Sequence, residues 1–254
     1  MSNLSLTRII PSILTVFAFI FGFKAILAAI AGQISTAIIF IIIAAIFDLL
    51  DGRVARALDV PSKFGEELDS LSDLVCFGIA TSLIVLFSRE ESSKLLSLAI
   101  TFFSVSTLLR LARFNVAADS AHDLPEETKN YYENFFVGVP TPAAFILAIL
   151  PISIEKSFHI IFSANVYAIY LIFVSFLVVS IIPTVSTKGI KIPKMFMPLY
   201  LAVLGFLILL FIIYKWYFLS AVGTLYLLSI PISILLFFKK KATINSTSST
   251  INNN

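Results

Sequence analysis

Long apolar runs separated by short polar stretches cover most of the chain. A helix needs about 20 mostly apolar residues to cross the hydrocarbon core of a bilayer. Read at that length, the pattern predicts eight spans, at residues 9–31, 34–57, 63–88, 95–115, 136–154, 162–183, 196–213 and 217–238. We therefore predict an all-α polytopic membrane protein with about eight transmembrane helices.

The fifth predicted span has the weakest pattern, because Pro140, Pro142 and Pro151 interrupt it. Neighbouring helices can satisfy the backbone groups that such prolines leave unpaired, so the span is retained in the prediction. The longest polar stretch, residues 117–134, is acidic and is predicted to be a solvated loop or a flexible cover for a site.

The polar segments are too short to form a soluble domain, so residues 1–241 are predicted to form one transmembrane domain. The last residues, 242–254, are rich in Ser, Thr and Asn and have no apolar periodicity. Such a composition is typical of a disordered tail, which we predict for this segment.

The composition supports the bilayer as the solvent of this chain. Hydrophobic residues make up 59% of it and charged residues 13%, about half of the roughly 25% that is typical of soluble domains. The basic residues lie between apolar runs and form no patch, so nucleic-acid binding is not expected. Cys76 is the only cysteine, which excludes an intrachain disulfide and a multi-cysteine metal site. We interpret Cys76 as a small core residue, and His122 and His159 as surface residues.

The positions of Lys and Arg predict the orientation in the membrane, because cytoplasmic loops are enriched in them. With the N-terminus inside, 13 of the 18 basic residues fall on the inner side. They are Arg8, Arg53, Arg56, Lys63, Arg110, Arg113, Lys129, Lys188, Lys191, Lys194, Lys239, Lys240 and Lys241. The outer side holds Arg89, Lys94, Lys156 and Lys215, and Lys24 lies in the first span. Both termini are therefore predicted to be cytoplasmic.

Four aspartates lie at the inner ends of the second and third spans, which is a costly position for unpaired charges. Asp48 and Asp51 are three residues apart and share one helix face, and Asp69 and Asp73 are four apart and share another. The turn between the spans contains Val60-Pro61, followed by Ser62 as a candidate N-cap of the third span. The hairpin is therefore predicted to direct all four carboxylates at one place.

Clustered carboxylates repel one another unless a cation lies between them. Ligand sets made only of oxygen atoms favour Mg²⁺ or Mn²⁺, and four carboxylates are enough for two ions. Gly52, Ala55 and Gly65 are small and would let a flat ligand approach the backbone, and Arg56 could bind a phosphate. These residue types predict a metal-dependent site for a phosphorylated ligand at the inner membrane interface.

The segment 48–73 resembles the signature of the CDP-alcohol phosphatidyltransferase family, which reads D-x-x-D-G-x-x-A-R, eight residues, then G-x-x-x-D-x-x-x-D. The matching residues are Asp48, Asp51, Gly52, Ala55, Arg56, Gly65, Asp69 and Asp73. The resemblance implies that the four aspartates bind divalent metal, with Asp69 and Asp73 acting in catalysis and Asp73 as the general base on the acceptor hydroxyl. It also implies that Gly52, Ala55, Arg56 and Gly65 line the pocket of the CDP-lipid and that CMP is the leaving group.

Three further segments resemble the phosphatidylserine synthase branch of this family, at residues 109–115, 136–144 and 182–188. The start at Pro11-Ser12-Ile13-Leu14-Thr15 is similar to the family's Pro-Asn-x-x-Thr, with Ser12 in place of Asn. The resemblance implies CDP-diacylglycerol as donor, L-serine as acceptor and a homodimer in the inner (cytoplasmic) membrane.

Arg110 and Arg113 lie three residues apart near the inner end of the fourth span, so they share a face. Arginines at membrane depth need an anion, which here is the serine carboxylate, the donor diphosphate or a lipid headgroup. An alternative acceptor is glycerol 3-phosphate, choline or an inositol phosphate. An ion or metabolite transporter is a remote alternative, because its charges would lie near the midplane of several helices.

Overall fold

The computed structural model describes residues 6–89, 93–120, 135–180, 183–185, 206 and 209–251. These residues are mostly helical. The helices are α1 (Leu6–Ile30), α2 (Ile34–Ala57), α3 (Lys63–Asp73), a π-helical segment (Leu74–Ala80), α4 (Thr81–Phe87), α5 (Lys94–Ser120), α6 (Thr141–Ala148), α7 (Leu150–Phe158), α8 (Ala164–Val179) and α9 (Lys215–Ile251). Two short strands, β1 (Phe135–Val137) and β2 (Pro183–Val185), pair antiparallel with Phe136 opposite Thr184.

Six stretches of the described residues are long and apolar enough to cross a membrane. They are Ile9–Ile30, Ile34–Ala57, Lys63–Phe87, Lys94–Ala117, Thr141–Phe158 and Lys215–Ile234. The apolar helix α8 is shorter, and the predicted span 196–213 lies mostly outside the described residues. The prediction of an all-α polytopic membrane protein is confirmed, while the count of eight spans stays a prediction.

The fifth predicted span, 136–154, has the wrong bounds: the helical stretch is Thr141–Phe158. Gly138 has a φ of +78° and Pro140 is extended, so a helix can begin only at Thr141. Pro142 and Pro151 lie in the first turns of α6 and α7, where the missing N–H is not needed. Two of the three prolines therefore stand at helix starts.

The C-terminal helix is longer than the predicted span 217–238, because α9 continues to Ile251. This differs from the prediction of a disordered tail over 242–254, of which residues 252–254 lie outside the described residues. Extending a helix that has already formed costs much less than starting one, so polar residues can follow an apolar helix in the same conformation.

Helix α1 packs closely against α2 and the π-helical segment. Ala25, Ala29, Ala37 and Ala44 are fully buried, and such small side chains let helices approach each other. A Cβ atom at Gly22 would lie 2.3 Å from Cys76 Sγ, so the two helices nearly touch at this point. Cys76 is buried, which agrees with its interpretation as a small core residue.

The ends of α4 and α7 are joined by a partly buried ion pair between Arg89 and Glu155. Arg89 Nη1 and Nη2 donate to the two carboxylate oxygens of Glu155, each at 2.6 Å, and Nη1 also donates to the Phe162 carbonyl at 3.1 Å. The guanidinium lies 4.6 Å from the ring centroid of Tyr167 on α8. This cluster ties three helices together at the end of the Lys63–Phe87 stretch that is remote from Asp69 and Asp73.

Candidate active site

The four aspartates come from the hairpin formed by α2 and α3. Asp48 and Asp51 lie in the second half of α2, and Asp69 and Asp73 lie in the last turns of α3. The predicted cap is present, since Ser62 Oγ accepts a hydrogen bond from Gly65 N at 3.1 Å. The π-helical segment begins directly after Asp73, so Asp69 and Asp73 keep the regular α-helical spacing.

The hairpin brings these four carboxylates together. Asp48, Asp51 and Asp69 each offer one carboxylate oxygen, and these three atoms lie within 4.8 Å of one another. The carboxyl group of Asp48 is also within hydrogen-bonding reach of those of Asp69 and Asp73. Asp51 is 5% exposed, whereas Asp48, Asp69 and Asp73 are half-buried, so the cluster lies at the edge of the protein interior.

Two threonine hydroxyls support the cluster from other helices. Thr15 Oγ1 on α1 donates to Asp51 Oδ2 at 2.5 Å. Thr141 Oγ1, at the first residue of α6, donates to Asp73 Oδ2 at 2.7 Å. By contrast, Asp69 Oδ1 is buried and has no hydrogen-bond partner among the described residues. An unpaired buried carboxylate oxygen is costly, so Asp69 is the aspartate that most needs a ligand.

The donor set fits a divalent cation. All the atoms it offers are carboxylate oxygens, which Mg²⁺ and Mn²⁺ prefer, and the unpaired Asp69 oxygen is available for coordination. Asp48, Asp51 and Asp69 are the residues that could hold such an ion. Asp73 lies outside this group of three; one of its oxygens accepts the Thr141 hydrogen bond, as one oxygen of Asp51 accepts that of Thr15.

Space for a ligand remains beside the small residues of the hairpin. A Cβ atom at Gly52 would have only the Arg56 guanidinium as its nearest neighbours, the closest atom at 3.5 Å. A Cβ at Gly65 would meet only Ser62 Oγ, at 3.1 Å. Arg56 is exposed and Ala55 is half-buried. The Arg56 side chain is therefore free to turn toward an anion above this surface.

The two arginines of α5 have different surroundings. Arg110 is 7% exposed and lies near Asp73 and the Tyr226 hydroxyl of α9, and its Nε has no hydrogen-bond partner among the described residues. Arg113 Nη1 donates to the Val179 carbonyl at 2.8 Å, and its Nη2 donates to the Ser180 carbonyl at 3.0 Å. Arg110 thus lies near one carboxylate of the cluster, Asp73, whereas Arg113 is hydrogen-bonded to the end of α8.

Sequence reasoning did not select Thr15, Thr141 and Tyr226 as site residues. Thr15 and Thr141 both lie in the segments that resemble the family, so that resemblance was a usable signal for them. Tyr226 lies in an ordinary apolar stretch of α9, and no local pattern marks it. Thr15 comes from the helix directly before the hairpin, whereas Thr141 and Tyr226 come from helices far beyond it in the sequence.

Comparison with known families gives a match over most of the described helices. The sequence model of the CDP-alcohol phosphatidyltransferase family matches residues 8–179, which is more than half of the chain. The matched region contains all four aspartates, Thr15 and Thr141.

Several curated relatives share the name CDP-diacylglycerol–serine O-phosphatidyltransferase. The relative from Mycobacterium leprae is 31% identical over 229 residues, which cover 89% of this chain and 75% of the relative. The relative from Helicobacter pylori is 32% identical over 203 residues, which cover 80% of this chain and 81% of the relative. The relative from Bacillus subtilis is 34% identical over 139 residues, which cover 53% of this chain and 70% of the relative.

Proposed function

Because this chain belongs to the CDP-alcohol phosphatidyltransferase family, we propose that it transfers the phosphatidyl group of CDP-diacylglycerol to L-serine. The products are phosphatidylserine and CMP. The observation that carries the reaction class is the convergence of Asp48, Asp51 and Asp69 on one point with Asp73 beside them. The relatives' shared name supports serine as the acceptor.

The donor lies with its headgroup against the hairpin. The open surface at Gly52, Ala55 and Gly65 suits the flat cytidine, and Arg56 can reach a phosphate. Asp48, Asp51 and Asp69 hold Mg²⁺ or Mn²⁺, for which two ions are expected. When bound, this metal neutralises charge on the diphosphate and on the departing CMP.

Asp73 acts on the acceptor as the general base. It takes the proton of the serine hydroxyl, and the oxygen of that hydroxyl then forms a bond to the phosphorus that bears the diacylglycerol. The bond between this phosphorus and the oxygen bridging to CMP breaks, and CMP leaves with the electron pair. Asp73 Oδ2 accepts the Thr141 hydrogen bond, and the Asp48 carboxyl also lies within hydrogen-bonding reach of Asp73. We assign the proton to Asp73 Oδ1, the oxygen that Thr141 does not contact.

Arg110 is the better placed of the two arginines for an anion of the substrates. Its guanidinium lies near Asp73, which makes the serine carboxylate a suitable partner, with the donor diphosphate as the second possibility. Arg113 can take part only if it gives up its hydrogen bonds with Val179 and Ser180.

The protein works as a multi-pass protein of the inner (cytoplasmic) membrane, with the site and both termini on the cytoplasmic side and with a homodimer as its assembly. The distribution of Lys and Arg supports this orientation. The membrane itself supplies the lipid donor, which reaches the site sideways from the bilayer.

The test is CMP release by the purified protein in detergent with CDP-diacylglycerol and Mn²⁺ or Mg²⁺, with and without L-serine. We expect release that depends on serine and that EDTA abolishes. Release with glycerol 3-phosphate, choline or inositol phosphate instead would keep the reaction class and overturn the acceptor. Absence of release with all of these alcohols would overturn the proposed function.

A further inference from the structure

We propose that Thr141 is a positioning residue for the transfer reaction, because its hydroxyl holds one oxygen of Asp73 so that the other oxygen faces the acceptor. This inference rests on the proposed function, in which Asp73 takes the acceptor proton. It assigns a role in the reaction to α6, a helix that contributes no carboxylate to the site.

The first step of the argument is the geometry of the hydrogen bond. Thr141 Oγ1 lies 2.7 Å from Asp73 Oδ2, and Thr141 is 3% exposed, so water does not compete for the carboxylate at this point. The terminal torsion of an aspartate is broad, so an unrestrained carboxylate would take many orientations. The Thr141 hydrogen bond fixes Oδ2, and the Asp48 carboxyl is also within hydrogen-bonding reach of Asp73. The carboxylate is thereby held in one orientation, as general-base catalysis requires.

The second step is the contrast with other threonines on the membrane helices. Thr101 and Thr107 donate their hydroxyl hydrogen bonds to carbonyls four residues earlier in α5, at 2.9 and 3.0 Å. Thr141 is the first residue of its helix and has no earlier turn to which it could donate. Its hydroxyl is thus available to Asp73, which lies 68 residues away in the sequence.

The third step is the junction that fixes where α6 begins. Gly138 has a φ of +78°, and a Cβ atom there would lie 2.8 Å from the Ser180 carbonyl oxygen and 2.9 Å from that of Val178. Arg113 donates to the neighbouring carbonyls of Val179 and Ser180. The pairing of β1 with β2 joins the same two chain segments. The start of α6, and with it the Thr141 hydroxyl, is therefore held against the end of α8.

The experiment compares Thr141→Val, Thr141→Ser and Thr107→Val with the wild-type protein. Thr107→Val is the matched control, because it also removes a buried threonine hydroxyl, but one that donates to a backbone carbonyl. The measured quantities are kcat, KM for serine, KM for CDP-diacylglycerol and the melting temperature in detergent.

We expect kcat of Thr141→Val to fall about 100-fold, as misplacement of a catalytic group does, with both KM values within about twofold of wild type. Thr141→Ser should recover most of kcat, because it restores the donor. Thr107→Val should keep kcat near the wild-type value, with a melting temperature close to that of Thr141→Val.

Three results would overturn the role of Thr141: an unchanged kcat in Thr141→Val, an equal loss in Thr107→Val, or a serine variant no better than the valine variant. If the wild-type protein uses another alcohol, the acceptor assignment fails, and kcat of the Thr141 variants is then compared with wild type on that alcohol. If the wild-type protein releases no CMP with any alcohol, the proposed function and the role of Thr141 fall together.

Discussion

Asp69 and Asp73 lie one helical turn apart on α3, and their carboxylates have different neighbours. Asp73 accepts a hydrogen bond from Thr141, while Asp69 Oδ1 is buried and unpaired among the described residues. Burial of an unpaired charged oxygen is costly, so a cation at Asp69 would stabilise the fold as well as serve the reaction. This contrast supports metal binding by Asp69 and proton transfer by Asp73.

Asp69→Asn is therefore expected to abolish turnover while leaving the protein folded in detergent. Mn²⁺ at 100 times its dissociation constant should stabilise the wild-type protein by about 2.7 kcal/mol, and this gain should vanish in the variant. Thermal unfolding of the wild-type protein and the variant, with and without Mn²⁺, measures this gain in stability. Asp59→Asn is the matched control, since Asp59 is exposed in the turn between α2 and α3 and its φ of +53° suits Asn.

Turnover near the wild-type value in Asp69→Asn, together with an unchanged gain in stability from Mn²⁺, would contradict the assignment of Asp69 to the metal. Loss of turnover with an unchanged gain in stability from Mn²⁺ would mean that Asp69 takes part in catalysis but that other residues bind the ion. Asp59→Asn should keep both turnover and the gain in stability.

The next residue-scale prediction concerns Arg110, whose guanidinium lies near Asp73. Arg110→Gln should raise KM for serine by roughly 10- to 100-fold, since a charged hydrogen bond is worth about 1.5–3 kcal/mol. Initial rates at varied serine and varied CDP-diacylglycerol measure both constants. Arg53→Gln, which changes an exposed arginine of α2, is the control. A rise only in KM for CDP-diacylglycerol would instead assign Arg110 to the diphosphate.

At the scale of the elements, five of the described helices bring parts of the site to the same end of the molecule. The hairpin of α2 and α3 supplies the aspartates, α1 supplies Thr15, α5 supplies Arg110 and α6 supplies Thr141. The opposite ends of α4, α7 and α8 meet at the cluster around Arg89. The reaction and the tie between these helices therefore depend on different sets of residues.

Loss of the Arg89 ion pair should lower stability without changing the reaction. Arg89→Gln leaves the partly buried Glu155 without its cation, for which the roughly 3–5 kcal/mol of a fully buried pair is an upper limit. We expect a lower melting temperature in detergent and unchanged KM values at low temperature. Lys94→Gln is the control, because Lys94 is exposed near the same helix ends. An unaltered melting temperature in Arg89→Gln would show that the cluster contributes little to stability.

On the scale of the whole molecule, the orientation in the membrane decides which solution reaches the site. Single cysteines can report it, because Cys76 is the only native cysteine and is buried. Ala57→Cys should react with a membrane-impermeant maleimide only in inside-out vesicles, and Lys94→Cys only in right-side-out vesicles. The reverse pattern would invert the proposed orientation, and the unsubstituted protein is the background control.

Much of this architecture could be predicted from local patterns in the chain. Run length predicts the spans that the structure describes, because the thickness of the bilayer sets a length that each helix must reach. Spacing predicts the aspartate faces, because residues three or four apart on a helix point the same way. The start of α6 was missed, because Gly138 and Pro140 end the extended segment inside a run that is apolar throughout.

The sequence by itself determined that the protein lies in a bilayer, that α2 and α3 form a hairpin and that this hairpin carries four carboxylates. Each of these features depends on residues within a few helical turns. Only the tertiary structure decided that Thr15 donates a hydrogen bond to Asp51 and Thr141 donates one to Asp73. The partners are 36 and 68 residues apart in the sequence. It also distinguished Arg110, near the carboxylates, from Arg113, at the end of α8. The physical reason is that helical periodicity is a local property, whereas the partner of a hydroxyl or a guanidinium depends on which distant helix packs against it.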